Sequence, residues 1–277
     1  MSFKSSIHLL WLVILPSVGC AHLDYISPLA PIEKLAIYHP TPFPNDVPAN
    51  LPFEDVWFRS TDDVQLHGWF LAHPNPRAVA LFCHGNAGNI ASRASTLWIL
   101  NQRHGLTVMG FDYRGYGKSE GKPHEIGVLR DARSARAWLA QRTGVPESEV
   151  VIMGRSLGGA VAVDLAARDG ARGLVLASTF TSLPDVGAHH MPWTLPHLLM
   201  TQRLNSQRKI KEYRGPLLQS HGDADSTIPI SLGRELYDAA PGPKQFVVIH
   251  GADHNDPHSE EYRIAFDQFL DRLPATR

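Results

Sequence analysis

Cysteine is scarce in this chain, which has two cysteines in 277 residues. Cys20 and Cys83 are too few for a disulfide framework, so a small disulfide-stapled fold is excluded. Cys83 ends an apolar run that begins at Ala78, and we expect a buried, unreactive thiol there. An excess of one charge is also lacking, because 26 Lys and Arg residues stand against 27 Asp and Glu residues. With no basic run, the sequence indicates no nucleic-acid partner.

Metal and nucleotide motifs are absent as well. His189, His190 and His197 lie close together, but neither an H-E-x-x-H motif nor a pair of closely spaced cysteines accompanies them, so we expect no metal. Gly117-Lys118-Ser119 looks like the end of a phosphate-binding loop, but the position of its required first glycine is Asp112. We therefore predict an activity that needs no cofactor.

The first twenty residues form a segment of their own. Lys4 precedes a short apolar stretch at residues 7–16, which is too short for a comfortable membrane span. The stretch leads to Cys20 and resembles a bacterial lipoprotein signal, although Ser17 stands where leucine is usual. An ordinary secretory signal, an uncleaved anchor and a disordered apolar terminus are the alternatives. We expect an exported protein, either anchored to the membrane through a lipidated Cys20 or free in the periplasm.

The rest of the chain divides into a proline-rich lead-in and one large domain. Hydrophobic residues make up 43 % and charged residues 19 % of the sequence, so a sizeable core can form. We expect residues 21–53 to be an irregular lead-in and residues 54–277 to be the domain.

The predicted domain starts with an antiparallel hairpin and then alternates strands and helices, which indicates a mostly parallel sheet with helices on both faces. Strands are predicted at 55–60, 65–72, 78–83, 106–111, 149–153, 173–178, 216–220 and 245–249. Helices are predicted at 90–103, 124–143, 157–169, 231–239 and 259–272.

One segment interrupts this alternation. Residues 180–214 are too long for a plain connection and contain several prolines, histidines and apolar residues. We expect a short helical cap inserted over a site, the alternative being a surface excursion with its own small apolar cluster.

Ser156 lies in a G-x-S-x-G motif at residues 154–158, directly after an apolar run. Glycines on both sides of a serine let a strand turn sharply into a helix, which lifts the hydroxyl to the top of a sheet. The motif predicts a nucleophile, and the alternative is a glycine-rich turn with an incidental serine.

A nucleophilic serine needs a base and an acid. His254 follows the last predicted strand, at the edge where parallel sheets bind ligands, and is the candidate base. Asp225 follows the preceding strand and is the candidate acid that orients His254. Asp223 is a rival by position, and Asp253 and Asp256 are rivals by proximity. The order serine, aspartate, histidine is that of α/β hydrolases.

Two backbone N–H groups are expected to hold the oxyanion. One is that of Leu157, directly after the serine, and the other that of Asn86, in the small-residue loop after the strand 78–83. The same loop could need its glycines only to begin a helix.

Five motifs in this order resemble the serine hydrolases of the α/β-hydrolase superfamily, and the ABHD13-, ABHD17- and Bem46-like group in particular. The motifs are H-G-N-A-G-N at 84–89, F-D-Y-R-G-Y-G-K-S-E-G at 111–121, G-R-S-L-G-G at 154–159, H-G-D-A-D-S-T-I-P at 221–229 and G-A-D-H-N-D at 251–256.

The resemblance implies a serine hydrolase that cleaves acyl esters or thioesters of small or lipid-like molecules through an acyl-enzyme. A peptidase of the same fold and a non-catalytic binding protein remain alternatives. The sequence does not indicate an oligomeric state.

Overall fold

A computed structural model describes residues 30–44 and 52–275, so the predicted leader and Cys20 lie outside the described residues. Eight strands form one sheet in the order β8-β7-β6-β5-β3-β4-β2-β1. The strands are β1 Glu54–Arg59, β2 Gln65–Leu71, β3 Ala78–Cys83, β4 Leu106–Phe111, β5 Val151–Arg155, β6 Gly173–Ala177, β7 Leu217–Gly222 and β8 Lys244–Ile249. β2 pairs antiparallel with β1 and with β4, and the other pairs are parallel.

Alternating side chains of the central strands feed two apolar layers. In β3, Val79 and Leu81 face one layer, whereas Ala80 and Phe82 face the other. The first layer also contains buried residues of the long helix after β4 and of the helix after β5, and the second those of the helix after β3 and of the last helix. The period of two in a strand thus places helices on both faces, and the predicted α/β-hydrolase fold is confirmed.

The helices follow the predicted alternation. They are α1 Ala30–Ile37, α2 Ala94–Gln102, α3 Glu125–Thr143, α4 Leu157–Asp169, α5 Leu183–His190, α6 Pro196–Leu199, α7 Ser206–Ile210, α8 Ile230–Ala239 and α9 Glu260–Asp271. A 3₁₀ turn, Ile90–Arg93, replaces the first turn predicted for α2. β5 runs two residues further than predicted, because Gly154 still pairs with Cys83.

The prediction of an irregular lead-in is wrong for its described part. α1 occupies Ala30–Ile37, and His39–Pro40 pairs with Ala87–Gly88. Proline at the second helical position costs α1 no internal hydrogen bond, so a proline-rich composition did not exclude a helix there. Tyr38, which follows α1, is 3 % exposed and belongs to the core.

The segment between β6 and β7 divides into two parts. α5, a 3₁₀ turn at Pro192–Thr194 and α6 form a short cap. α7, in contrast, packs on α4 and α8, and its Ile210 is fully buried in the core of the sheet. The cap is therefore shorter than the predicted insertion 180–214. Among the described residues, no helix is both long and apolar enough to cross a bilayer.

Candidate active site

Ser156 occupies a sharp turn between β5 and α4. Its backbone has φ 55° and ψ −122°, a conformation that residues other than glycine rarely adopt, so the turn is strained. A Cβ at Gly154 would lie 2.1 Å from the oxygen of Gly158, and one at Gly158 would lie 2.1 Å from the oxygen of Cys83. The turn therefore needs glycine on both sides of the serine, as the G-x-S-x-G spacing predicts.

His254 and Asp225 meet through their side chains. His254 Nδ1 lies 2.8 Å from Asp225 Oδ2, and both residues are buried. Asp225 Oδ1 accepts hydrogen bonds from the N–H groups of Thr227 and Ile228, at 3.0 and 2.8 Å. The carboxylate is thus fixed by backbone on one oxygen and by the imidazole on the other.

The charge of Asp225 is stabilised despite its burial. Burial acts to raise its pKa, but His221, His254 and the Ile228 N–H outweigh burial and hold the pKa well below the ordinary value. His221 Nε2 lies 3.3 Å from Asp225 Oδ2. Because a charged carboxylate only accepts, Nδ1 of His254 carries the proton and Nε2 is left as an acceptor for a serine proton.

The three rival aspartates brace the loops around this pair. Asp223 contacts His250 Nδ1 and the N–H of Gly251, at 2.8 and 2.6 Å. Asp253 accepts from the N–H groups of Ser226 and His254, and Asp256 accepts from the N–H of Asp253. Of the four candidate acids, Asp225 is the one bonded to the imidazole.

Ser156 and His254 are linked through Arg155, whose guanidinium donates to the backbone oxygen of His254. Ser156 Oγ forms no hydrogen bond of 3.5 Å or less with another described residue. Serine–histidine bonds are often long before substrate binds and shorten in the complex.

Asn86 and Leu157 line the same cavity as Ser156. Neither backbone N–H donates to an acceptor within the described part of the chain. That of Leu157 stands at the start of α4, where the helix dipole favours negative charge. A Cβ on Gly85 would lie 3.6 Å from Ser156 Cβ, so the loop bearing Asn86 passes directly beside the serine.

The lead-in helps to hold the loop that bears Asn86 in place, a role that the sequence did not predict. Asn86 O accepts hydrogen bonds from the N–H of His39 and the hydroxyl of Tyr116, at 2.9 and 2.7 Å. Asn86 Nδ2 donates to Ile37 O at 3.1 Å. With its carbonyl and side chain both held, the N–H of Asn86 has a defined direction. No motif in residues 21–53 signalled this role.

Asp112 supports the loop that bears Asn86 from its buried side. It is fully buried, and its Oδ1 accepts a 2.7 Å hydrogen bond from the N–H of Ile90. His84 Nε2 and His67 Nδ1 lie 3.5 and 3.6 Å from its oxygens. Burial acts to raise the pKa of Asp112, but its contacts with the two histidines lower it below the ordinary value. This residue occupies the place where a phosphate-binding loop would need glycine.

The cavity above Ser156 has a volume of about 390 Å³ and lies between α1, the cap and the loop that bears Asn86. Its apolar lining residues are Ala36, Ile37, Leu157, Phe180, Leu183, Val186, Met191, Pro196, Leu199, Met200 and Ile228. Such a cavity suits an apolar group next to the nucleophile.

Of the remaining residues singled out in the sequence, His190 lines the cavity above Ser156. Cys83 is buried, as predicted, and burial raises the pKa of its thiol. His190 Nε2 contacts Thr227 O at 2.8 Å, and His197 Nε2 lies 3.5 Å from Asp185. His189 packs its ring against that of His190. Among the described residues, no cluster of His, Cys, Asp and Glu could hold a metal ion.

The fold and the site define an α/β hydrolase, and comparisons with known proteins agree. Residues 74–207 match the model of a family described as serine aminopeptidase, S33. The chain is 37 % identical over 239 residues to the uncharacterized protein Rv2307c of Mycobacterium tuberculosis, covering 85 % of each. It is 33 % identical over 230 residues to the uncharacterized protein YfhR of Escherichia coli, covering 78 % of this chain and 80 % of YfhR.

Solved structures show the same fold. The esterase Pf2001 of Pyrococcus furiosus matches with a TM-score of 0.72 and 20 % identity, over 86 % of this chain and 98 % of the esterase. The esterase domain of a Rhodothermus marinus protein matches with a TM-score of 0.59 and 20 % identity, over 79 % and 96 %. The chain has the α/β-hydrolase fold and belongs to one family with the two bacterial proteins.

Proposed function

We propose that Ser156, His254 and Asp225 form a catalytic triad that cleaves acyl esters or thioesters. The 2.8 Å contact between His254 and Asp225, beside a strained serine turn, is the observation that carries the proposal. The arrangement supplies a base with its free nitrogen available and a carboxylate that stays charged.

In the proposed reaction, Ser156 Oγ attacks the carbonyl carbon while its proton passes to His254 Nε2. The oxyanion of the tetrahedral intermediate accepts hydrogen bonds from the N–H groups of Asn86 and Leu157. The C–O or C–S bond then breaks as His254 returns the proton to the leaving alcohol or thiol. Water, activated by His254, adds to the acyl-enzyme and releases the acid and the serine.

The lining of the cavity supports an acyl group over a peptide terminus. An aminopeptidase needs a carboxylate free to meet the ammonium group of its substrate. Glu33 is the one acidic residue among the described residues of the lining. Both its oxygens are engaged by residues that follow the cap, since Oε2 accepts from the N–H and hydroxyl of Thr201 and Oε1 from the N–H of Gln202.

We also propose that the substrate is lipid-like and that the protein works at a membrane. The cap exposes Met191, Trp193, Leu195, Leu198 and Leu199 to solvent, and α1 exposes Leu35. α1 begins ten residues after Cys20, and its residues Ala36 and Ile37 line the cavity. A lipidated leader would hold these exposed apolar residues of the cap and of α1 close to a bilayer. The five motifs further support kinship with the ABHD13-, ABHD17- and Bem46-like group.

Active-site labelling with a fluorophosphonate probe tests the triad. We expect the wild-type chain and a Ser148→Ala control, which changes an exposed serine in the 3₁₀ turn Glu147–Glu149 before β5, to react, and Ser156→Ala not to react. Equal labelling of Ser156→Ala and wild type would refute the proposed nucleophile.

Substrate preference is tested with a series of p-nitrophenyl esters and thioesters beside aminoacyl amides. We expect hydrolysis of esters with kcat/KM rising with acyl length, and little cleavage of the amides. Preference for aminoacyl amides would replace the esterase proposal with the peptidase alternative.

Replacing Cys20 by serine and following membrane fractionation tests the anchor. If Cys20 is lipidated, the serine variant should be released from the membrane fraction.

A further inference from the structure

We propose that a second cavity, between α2 and the His254 loop, binds a carboxylate or phosphate group through Arg93 and Arg155. This cavity has a volume of about 340 Å³ and shares no lining residue with the apolar cavity above Ser156. Its walls come from α2, from the ends of β3, β5 and β6, and from residues 255–263. No residue of the proposed triad lines it.

Strand geometry explains why Arg155 faces this cavity. Side chains along β5 alternate between the two faces of the sheet. Val151 and Met153 pack in the layer formed with α2 and α9, whereas Ile152 packs in the opposite layer. The same period of two places Arg155 on the α2 and α9 side, directly behind the nucleophile, where it lines the cavity with Met153.

Both guanidinium groups retain hydrogen-bond donors. Arg93 Nη2 donates to Ala87 O at 2.9 Å, and Arg155 Nη2 donates to His254 O. A guanidinium has five N–H donors, so most remain available in each. Within the described part of the chain, neither arginine forms an ion pair with a carboxylate. Two half-buried like charges without an ion-paired carboxylate favour a bound anion.

The other charged groups around the cavity are already engaged. Asp256 is the one acidic residue among the described lining residues, and its Oδ2 accepts the N–H of Asp253. Arg263 pairs with Glu260 at 2.6 Å, and His104 pairs with Asp267 at 3.0 Å.

Electrostatics within the cavity support the same assignment. Burial, followed by the charges of Arg155, Arg263 and His104, lowers the pKa of His258 to about 4. Burial also lowers the pKa of Arg155, and Arg93 lowers it further. The cavity therefore favours negative charge and disfavours an added proton.

The site is linked to the proposed base. The hydrogen bond from Arg155 to His254 O attaches the anion-binding group to the loop that carries the imidazole. An anion held between the two arginines would fix Arg155 and, through it, that loop.

Thermal melting of the full chain, titrated with inorganic phosphate and separately with acetate at constant ionic strength, tests the site. A ligand that binds the native state raises the melting temperature in a saturable way. We expect this rise in the wild type and in Arg103→Gln, a control that removes an arginine already paired with Glu260 outside the cavity. In Arg93→Gln we expect affinity about tenfold to a hundredfold weaker. Arg155→Lys keeps the positive charge but loses the paired N–H donors of the guanidinium, so it should also bind the anion more weakly.

Each outcome decides the question. A response to phosphate alone defines a phosphate site, and a response to both anions a general carboxylate and phosphate site. No saturable response to either anion, or equal affinities in Arg93→Gln and the wild type, would overturn the proposal. If Arg93→Gln does not fold, Arg155→Lys against Arg103→Gln gives the same comparison. Because the readout is melting, it stands apart from any failure of the proposed triad.

Discussion

The floor and the roof of the apolar cavity are built differently. The floor consists of loops at the sheet edge; Ser156 lines the cavity there, and Ser156, Asp225 and His254 are each at most 8 % exposed. The roof is the short cap, where Trp193 and Leu198 are 76 % and 73 % exposed. The contrast teaches that the carboxylate and the imidazole of the proposed triad are held by buried hydrogen bonds, whereas the cap meets solvent with apolar side chains. Changes in the floor should therefore affect chemistry, and changes in the roof should affect which substrates enter.

The largest effect is expected from Asp225→Asn. An amide in place of the carboxylate can stabilise the wrong tautomer of His254 and cannot stabilise the imidazolium, so kcat should fall by about 10⁴-fold. Asp223→Asn is the matched control, because Asp223 bonds to His250 and Gly251 and not to the imidazole of His254. Steady-state kinetics on a p-nitrophenyl ester give the comparison. Equal losses in the two variants would exclude Asp225 as the specific acid.

A second prediction concerns folding of the floor. Gly158→Ala places a Cβ 2.1 Å from Cys83 O and 2.4 Å from His84 O, which are backbone atoms that cannot move aside cheaply. We expect a loss of about 3 kcal/mol or more in the free energy of unfolding, or an insoluble protein. Gly85→Ala is the control, because its Cβ meets its nearest neighbours at 3.6 Å. Denaturant unfolding of both variants measures the difference, and equal stabilities would contradict the packing argument.

Acid should weaken the floor through Asp225. Its pKa is lowered in the folded state, so its contribution to stability is full above the unfolded value, about 4, and is lost as pH falls towards the folded value. For this group the slope is at most about 1.4 kcal/mol per pH unit. Urea unfolding between pH 5 and 2 should show a steeper loss in the wild type than in Asp225→Asn. Identical slopes would mean that folding does not lower the pKa of Asp225.

A smaller effect is expected from Tyr116→Phe. The change removes the 2.7 Å hydrogen bond to Asn86 O and leaves the aromatic ring in place. Loss of one such bond is worth about 1 kcal/mol, so kcat should fall about fivefold with little change in KM. Tyr237→Phe, which loses a hydroxyl contact to Lys244 O away from the site, is the control. A change in KM alone would show that Tyr116 does not act through the loop that bears Asn86.

The sequence predicted the floor better than its surroundings, for physical reasons. All eight strands and the loops bearing Ser156, Asp225 and His254 follow from local apolar periodicity and glycine spacing. The lead-in was missed because its role depends on partners far away in sequence, such as the bond from His39 to Asn86. The extent of the cap was overestimated because packing of Ile210 against the core cannot be read from local composition. The proposed role of Arg155 likewise depends on which face of the sheet its side chain occupies, and the sequence alone did not predict that it lines the second cavity.

The smallest effect on stability is expected in the roof, from Trp193→Ala. Trp193 is 76 % exposed, so its removal should change the free energy of unfolding by no more than about 0.5 kcal/mol. Its contribution should appear instead as a higher KM for esters with long acyl chains, with KM for acetate esters unchanged. Leu35→Ala makes the same test from the other rim of the cavity, since Leu35 is 75 % exposed on α1. If both variants bind long and short esters like the wild type, the exposed apolar rim does not recognise the acyl chain.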